Sequence, residues 1–401
     1  MRNLKITFRI TTFPFSYVFH RNGTKTLAIE GACDAFTVSV WYDLEQRPLF
    51  LRSEAKIGDK VEIVLLDYRI ELYLNGELKD EEWPDGNRLF DLGDTVTPDA
   101  DLHISEFLKK EPLLPNVLAT FENAEGWRPQ NGVFVGDCMP YRKNDEYHVL
   151  YLKDRHHHGS KWGLGAHQWE HISTTDFQTW RIHPTAIPIS APWEGSICTG
   201  SWIQNGKTEF LYYTVRRGKG LPAPICRSVS ADGYHFVKDP NFGFTVSEKY
   251  HAASARDPKV IKGDDGIFHM FLTTSLIREK RGCLAHFVSQ DLEDWKELDD
   301  PIYIAPGEQQ PECPDYVKYN GRYYLIFSLG GKGHYMMSDK PFTDFRMPNA
   351  PMIPCASVPK CAEWNGRLIF TGFRGQGGYG GCMTFKAATA SENGELIFAD
   401  F

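Results

Sequence analysis

STTDFQTW, residues 173–180, returns four more times in altered form: SADGYHF (230–236), SQDLEDW (289–295), SDKPFTDF (338–345) and SENGELIF (391–398). Each copy sets a hydroxyl residue, then Asp, Asn or Lys, then an aromatic residue. A short polar side chain at such a point bonds nearby backbone and closes a turn. Working outward, an aromatic-rich strand precedes each copy: YHVLYL (147–152), TEFLYYT (208–214), IFHMFLTT (267–274), RYYLIFS (322–328) and RLIFTGF (367–373). Before each of those lies a short apolar segment with a polar tip: VGDCMP (135–140), ICTGSWI (197–203), ARDPKVI (255–261), ECPDYV (312–317) and VPKCAEW (358–364). Three features recurring five times in one order, at a period of about 50 residues, predict a five-bladed β-propeller. A blade cannot bury both its faces alone, so neighbours pack around a common axis. The short segments are then the innermost strands, with their tips at the axial pocket.

Upstream, KITFRITTF, TLAIEG, AFTVSVWYDL, VEIVLLDY and RIELYLNGEL alternate with period two. Asn75-Gly76 supplies a hairpin turn. The stretch 61–84 resembles the strand–turn–strand of laminin-G or concanavalin-like folds. The chain is therefore read as all-β: a small concanavalin/laminin-G-like β-sandwich over residues 1–110, then a five-bladed β-propeller over 115–401, joined through Pro112 and Pro115.

With 401 residues, the chain is long enough for two domains. A net charge of −8 and the lack of a long basic run argue against nucleic-acid binding. No apolar run approaches membrane-spanning length and no signal-peptide pattern opens the chain, so no membrane partner and a cytoplasmic location are expected. Nine cysteines without a C-x-x-C pair read as reduced packing residues, Cys138, Cys198 and Cys313 among them. No nucleotide loop, haem motif or zinc spacing occurs, so neither cofactor nor metal is expected. The oligomeric state is left open.

Three of the five inner segments present an acid: Asp137, Asp257 and Glu312. Cleavage of a glycosidic bond generally uses two carboxyl groups flanking it. A third acid can hold hydroxyls and raise the proton donor's pKa by like-charge repulsion. Acids from blades one, three and four can thus converge on one sugar, and an oligosaccharide or small glycoside is the expected partner.

At these residues the sequence resembles glycoside hydrolase family 32, the invertase, inulinase and levanase group. ARDPKV (255–260) resembles its Arg-Asp-Pro motif and PECPDY (311–316) its Glu-Cys-Pro-Asp motif. WGLGAHQWEHISTTDFQTW (162–180) and CTGSWI (198–203) are similar to further family stretches. The resemblance implies a retaining, exo-acting β-fructofuranosidase-like enzyme. Asp137 would be its nucleophile, Glu312 its acid/base and Asp257 its transition-state stabiliser, with Arg256 beside the latter. Three features depart from the family. Gly136-Asp137-Cys138-Met139-Pro140 stands for its Asn-Asp-Pro-Asn-Gly, the sandwich precedes the propeller, and DRHHHGSKW (154–162) replaces a polar loop. Asp154, His157, His158, Trp162, Trp193 and Ser201 are taken as substrate-binding candidates, the Trp rings as stacking platforms. Two other readings stay open: an inverting arabinan- or xylan-type propeller glycosidase, and a non-catalytic glycan-binding propeller.

Overall fold

The computed structural model describes residues 3–401 except 42–47, 67–68, 84–91, 93–94, 98–101, 108–113, 130–131, 158–166, 192, 195, 218–219 and 356. The chain divides into two compact units. One is built from Met1–Leu113 and includes the loop around Trp193; the other comprises Leu114–Ser160, His167–Ile189 and Ser196–Phe401. Among the described residues the only helix is a 3-10 turn at Ala252–Ser254, and no helix could cross a membrane.

The first unit is a sandwich of two five-stranded antiparallel sheets. One orders His103–Phe107, Asn3–Arg9, Lys60–Leu65, Ile70–Leu74 and Glu77–Glu82. The other orders Leu49–Glu54, Ala35–Val40, Thr24–Ala32, Phe15–Arg21 and Thr95–Thr97. Alternation decides which face is dry. Val61, Ile63 and Leu65 point inward along one strand, meeting Ile6, Phe8, Leu27, Ile29 and Val38 in one core. Asn75 and Gly76 both take left-handed φ, 53° and 85°, as the two-residue hairpin requires.

The second unit is the five-bladed propeller. Its inner strands are Val133–Lys143, Ser196–Asn205, Arg256–Lys262, Glu312–Tyr319 and Ser357–Trp364. Each packs against the next, and the fifth against the first, so they form a closed ring. The second strand of each blade is the aromatic one: Glu146–Arg155, Thr208–Arg216, Phe268–Leu276, Arg322–Leu329 and Arg367–Gly375. Neighbouring blades cover both faces of these strands, which is why they read as continuous apolar runs. Leu211, Tyr212, Phe271, Leu272, Tyr324 and Phe370 are all fully enclosed.

The recurring Ser-Asp-aromatic element closes the turn after the third strand. Asp176 Oδ1 accepts hydrogen bonds from the N–H groups of Gln178 and Thr179, both at 2.8 Å. Asp232 does the same for Tyr234 and His235, and Asp291 for Glu293 and Asp294. The turns are Asx turns, and the sequence repeat is the record of that hydrogen bond. Closure runs between the ends of the unit: Val135 pairs with Gly381, Gly126 N–H donates to Met383 O, and Met383 N–H donates to Trp127 O.

All five inner strands break their ladder at the same rung. The register slips between Val135 and Cys138, Ile197 and Gly200, Arg256 and Lys259, Glu312 and Asp315, and Ser357 and Lys360. Two residues there face one across the ladder, which is a β-bulge. In blades three to five the second bulge residue is proline: Pro258, Pro314 and Pro359. A residue without N–H fits a rung that has no partner to receive one. The proline of the Arg-Asp-Pro and Glu-Cys-Pro-Asp motifs thus stands where the backbone tolerates it, a position that Asp137 and Thr199 fill in blades one and two.

Candidate active site

The bulges turn their side chains toward a cavity of about 280 Å³. Asp137, Asp257 and Glu312 line it together with Thr199, Arg216, Arg256, Cys313 and Tyr379. The three acids do not occupy equivalent positions, as the repeat alignment suggests they would. Asp257 is the first bulge residue of its blade, Asp137 the second of its own, and Glu312 precedes its bulge. The slip in register is what lets three different rungs reach one space.

Asp137 is buried and held by three side chains. Tyr379 Oη donates to Oδ1 at 2.7 Å. Thr199 Oγ1 donates to Oδ2 at 2.9 Å, and the Cys313 thiol to the same oxygen at 3.3 Å. The Asp137 N–H, freed by the bulge, donates to Tyr379 Oη at 3.1 Å. Burial pushes the Asp137 carboxyl above its ordinary value, while the three donors oppose that rise. Burial also keeps the Tyr379 phenol well above its own usual value, so it stays a donor.

Asp257 sits in left-handed backbone, φ 59°, where a residue other than glycine is uncommon. Its N–H donates to Thr214 Oγ1 at 3.3 Å, and its Oδ2 accepts from Cys313 N–H at 3.1 Å. Glu312 is half-exposed toward the cavity. Arg256 reaches both acids, donating to Glu312 Oε1 at 2.7 Å with its Nε 3.5 Å from Asp257 Oδ2. Gln310 and the Ser254 carbonyl hold the other arm of the guanidinium. Burial raises the Glu312 carboxyl; Arg256 pulls it down, and Asp257 pushes it up again.

The rung after each bulge forms the next layer along the axis: Cys138, Gly200, Lys259, Asp315 and Lys360. Lys259 pairs with Asp315 at 2.5 Å, and Lys360 Nζ donates to the Gly200 carbonyl at 3.0 Å. Lys360 is fully buried, and burial lowers its pKa. Gly200 is small of necessity, since a Cβ there would lie 1.8 Å from the Tyr212 carbonyl oxygen and 2.9 Å from Trp169.

Of the other sequence candidates, Arg256 lies in the cavity wall. Ser201 does not: its hydroxyl donates to Pro258 O and accepts from Val260 N–H, tying blade two to blade three. Asp154 and His157 stand behind Tyr379. His157 Nδ1 bonds the Tyr379 carbonyl at 2.8 Å, and Asp154 bonds His167, whose ring stacks on Tyr379. Trp193 is partly exposed and belongs to the first unit. His158 and Trp162 lie outside the described residues. All nine cysteines are free thiols, but Cys313 is more than a packing residue, since its thiol and N–H each reach a cavity acid. Tyr379, Thr199 and Arg216 were not singled out in the sequence. For Tyr379 the available signal was GGYGG (377–381), where an aromatic is flanked by glycines; a Cβ on Gly378 or Gly380 would crowd His157 or Asp154.

A five-bladed propeller with an aspartate, an aspartate and a glutamate on its inner strands is the architecture shared by several groups of glycoside hydrolases. The family model for the glycosyl hydrolases family 32 N-terminal domain matches residues 136–345, just over half the chain, and the protein belongs to that family. A sucrose-6-phosphate hydrolase of Vibrio alginolyticus is 24% identical over 216 residues, which are 51% of this chain and 42% of that one. The β-D-galactofuranosidase xynD of Aspergillus niger is 28% identical over 208 residues, 47% of this chain and 55% of its own. Fructan 1-exohydrolase IIa from Cichorium intybus superposes with a TM-score of 0.57 at 19% identity, covering 69% of this chain and 60% of that structure. The chain therefore spans less than half the length of the sucrose-6-phosphate hydrolases it matches.

Proposed function

We propose that this protein is a retaining, exo-acting glycoside hydrolase of β-fructofuranosides or a related furanoside. One observation carries the reading: three carboxyl groups from three blades line one axial cavity, two of them bridged by Arg256. In the first step an Asp137 oxygen attacks the anomeric carbon. The bond to the leaving oxygen breaks, and Glu312 gives that oxygen its proton. In the second step Glu312 takes a proton from water, whose oxygen displaces Asp137 from the sugar. The three donors on Asp137 steady it as an anion between turnovers. Asp257, fixed by Cys313 N–H and Arg256, accepts from ring hydroxyls.

A second reading keeps the residues and changes the sugar. Gly136-Asp137-Cys138-Met139-Pro140 departs from the family's Asn-Asp-Pro-Asn-Gly, and one relative of comparable identity is named as a galactofuranosidase. The test is chromatographic release of monosaccharide from a panel of fructosides, galactofuranosides and arabinofuranosides, with Glu312→Gln in parallel. Wild-type release with a loss of about 10²–10⁴-fold in the variant is expected from the removal of proton donation. A variant that kept most of its activity would sink the Glu312 assignment, and the sugar released decides between the readings.

A further inference from the structure

The first blade holds a histidine cluster that the hydrolytic reading does not use. We propose that His148, His171 and His183 form a buried binding site for a divalent transition-metal ion of the zinc class. His148 lies in Glu146–Arg155, His171 in Gln168–Thr174, and His183 directly after Thr179–Ile182. One ring nitrogen from each lies within 4.8 Å of the other two. All three residues are almost wholly buried. His148 Nδ1 and His171 Nε2 are already 3.0 Å apart, and the His171 and His183 ring centroids 4.5 Å apart. A tetrahedral ion with bonds of about 2.0–2.1 Å holds its ligand atoms about 3.4 Å apart, so binding requires the rings to adjust from separations of up to 4.8 Å.

Two further observations favour an ion over a purely hydrogen-bonded network. His148 Nε2 and His171 Nδ1 are buried without a hydrogen bond, although buried polar atoms are generally paired. His148 Nε2 also faces Glu146 Oε2 at 3.6 Å, so a carboxylate lies beside an ion held through that nitrogen. Of the nearby cations, Lys143 is paired with Glu209, while Arg181 is paired with Glu146 itself and so competes with an ion for that carboxylate. The remaining neighbours are the Tyr141 and Tyr234 hydroxyls, Ser173 Oγ and the Asn116 carbonyl, with no other cation facing the cluster among the described residues.

Blade three provides an internal control. His269 and His286 occupy the same two rungs there and bond to each other at 2.9 Å. Phe342 stacks on His269, and no third histidine joins the pair. The pair occurs in blades one and three; the third imidazole is peculiar to blade one. A site of three imidazoles and a carboxylate selects zinc, copper, nickel or cobalt over magnesium and calcium. Lying among outer strands, it would tie three of them together.

The test uses the untagged full chain, stripped with a chelator and dialysed against Zn2+ or Mg2+ alone. About one equivalent of Zn2+ per chain should be retained. The melting temperature should rise with Zn2+ but not with Mg2+, as it does for any ion that binds only the folded state. His183→Gln should lose both responses, whereas His286→Gln keeps them. Zn2+ that is not retained, or is retained equally by His183→Gln, overturns the proposal. Should His183→Gln fail to fold, anomalous diffraction from wild-type crystals soaked in Zn2+ decides. A peak between the three imidazoles supports the site; peaks only elsewhere refute it.

Discussion

Replacing Tyr379 with phenylalanine would remove one oxygen and almost nothing else. The ring would keep its stacking on His167 at 5.3 Å and its edge contact with Phe373 at 5.1 Å, so the cavity wall should hold its shape. The loss falls on Asp137, whose Oδ1 accepts from Tyr379 Oη at 2.7 Å. A hydrogen bond to a charged group contributes about 1.5–3 kcal/mol. At about 1.4 kcal/mol per decade that is roughly a 10- to 150-fold loss in kcat/KM where ionised Asp137 is limiting. The direction with pH follows from the same bond. A carboxylate deprived of a donor holds its proton to higher pH, so the acid limb of the profile should move upward. A less stabilised carboxylate is also the stronger nucleophile, so the deficit should narrow on the plateau. The assay is kcat/KM for monosaccharide release across pH, wild type beside Tyr379→Phe. An unmoved acid limb, or an equal loss at every pH, would refute the claim that Tyr379 acts through the charge on Asp137.

Three more outcomes are expected. The wild-type profile of kcat/KM should be bell-shaped: both carboxyls are raised, Asp137 must be ionised and Glu312 protonated, so the acid limb belongs to the first and the alkaline limb to the second. An alkaline limb that stayed unmoved in an active Glu312→Asp variant would contradict this. Asp137→Asn should be more heat-stable relative to wild type at about pH 7 than at about pH 4. A carboxyl raised on folding contributes stability below its unfolded pKa and loses it as pH rises through the folded one; a melting difference that shrank toward neutrality would reverse that sign. Gly200→Ala should cost about 3 kcal/mol or more by denaturant titration, because its methyl would meet backbone that cannot step aside; a near-neutral substitution would mean the bulge can relax.

The propeller was legible because its repeat is chemical. The Asx turn needs a short polar side chain and has one in every blade but the fourth, where Lys340 stands, and the second strand needs apolar residues on both faces, so both leave a local mark. The acids were legible for a related reason, standing at the tips of segments that the repeat had aligned. Their unequal rungs were not, since a bulge changes register without changing composition. Tyr379 was hidden by distance, 242 residues from the carboxylate it serves. The histidine cluster was hidden likewise: His148, His171 and His183 meet only when three strands are laid side by side. Asp154 and His157 were singled out for their place in the loop that departs from the family, and Ser201 for its place in a family-like stretch. The first two stand behind Tyr379 and the third joins two blades, positions that a linear motif does not distinguish from the cavity wall.

The five bulges also separate scaffold from chemistry. The same interruption is filled by Gly136-Asp137, Cys198-Thr199, Asp257-Pro258, Cys313-Pro314 and Val358-Pro359, and the strands on either side pair alike in every case. Thr199 and Val358 already face the common space. Thr199 is already engaged with Asp137, but Val358 is a socket without a polar role, at which an engineer could graft a new acid, amine or thiol opposite the same sugar without disturbing a ladder pair. A fold that holds its reactive groups in interchangeable gaps can be retargeted one blade at a time.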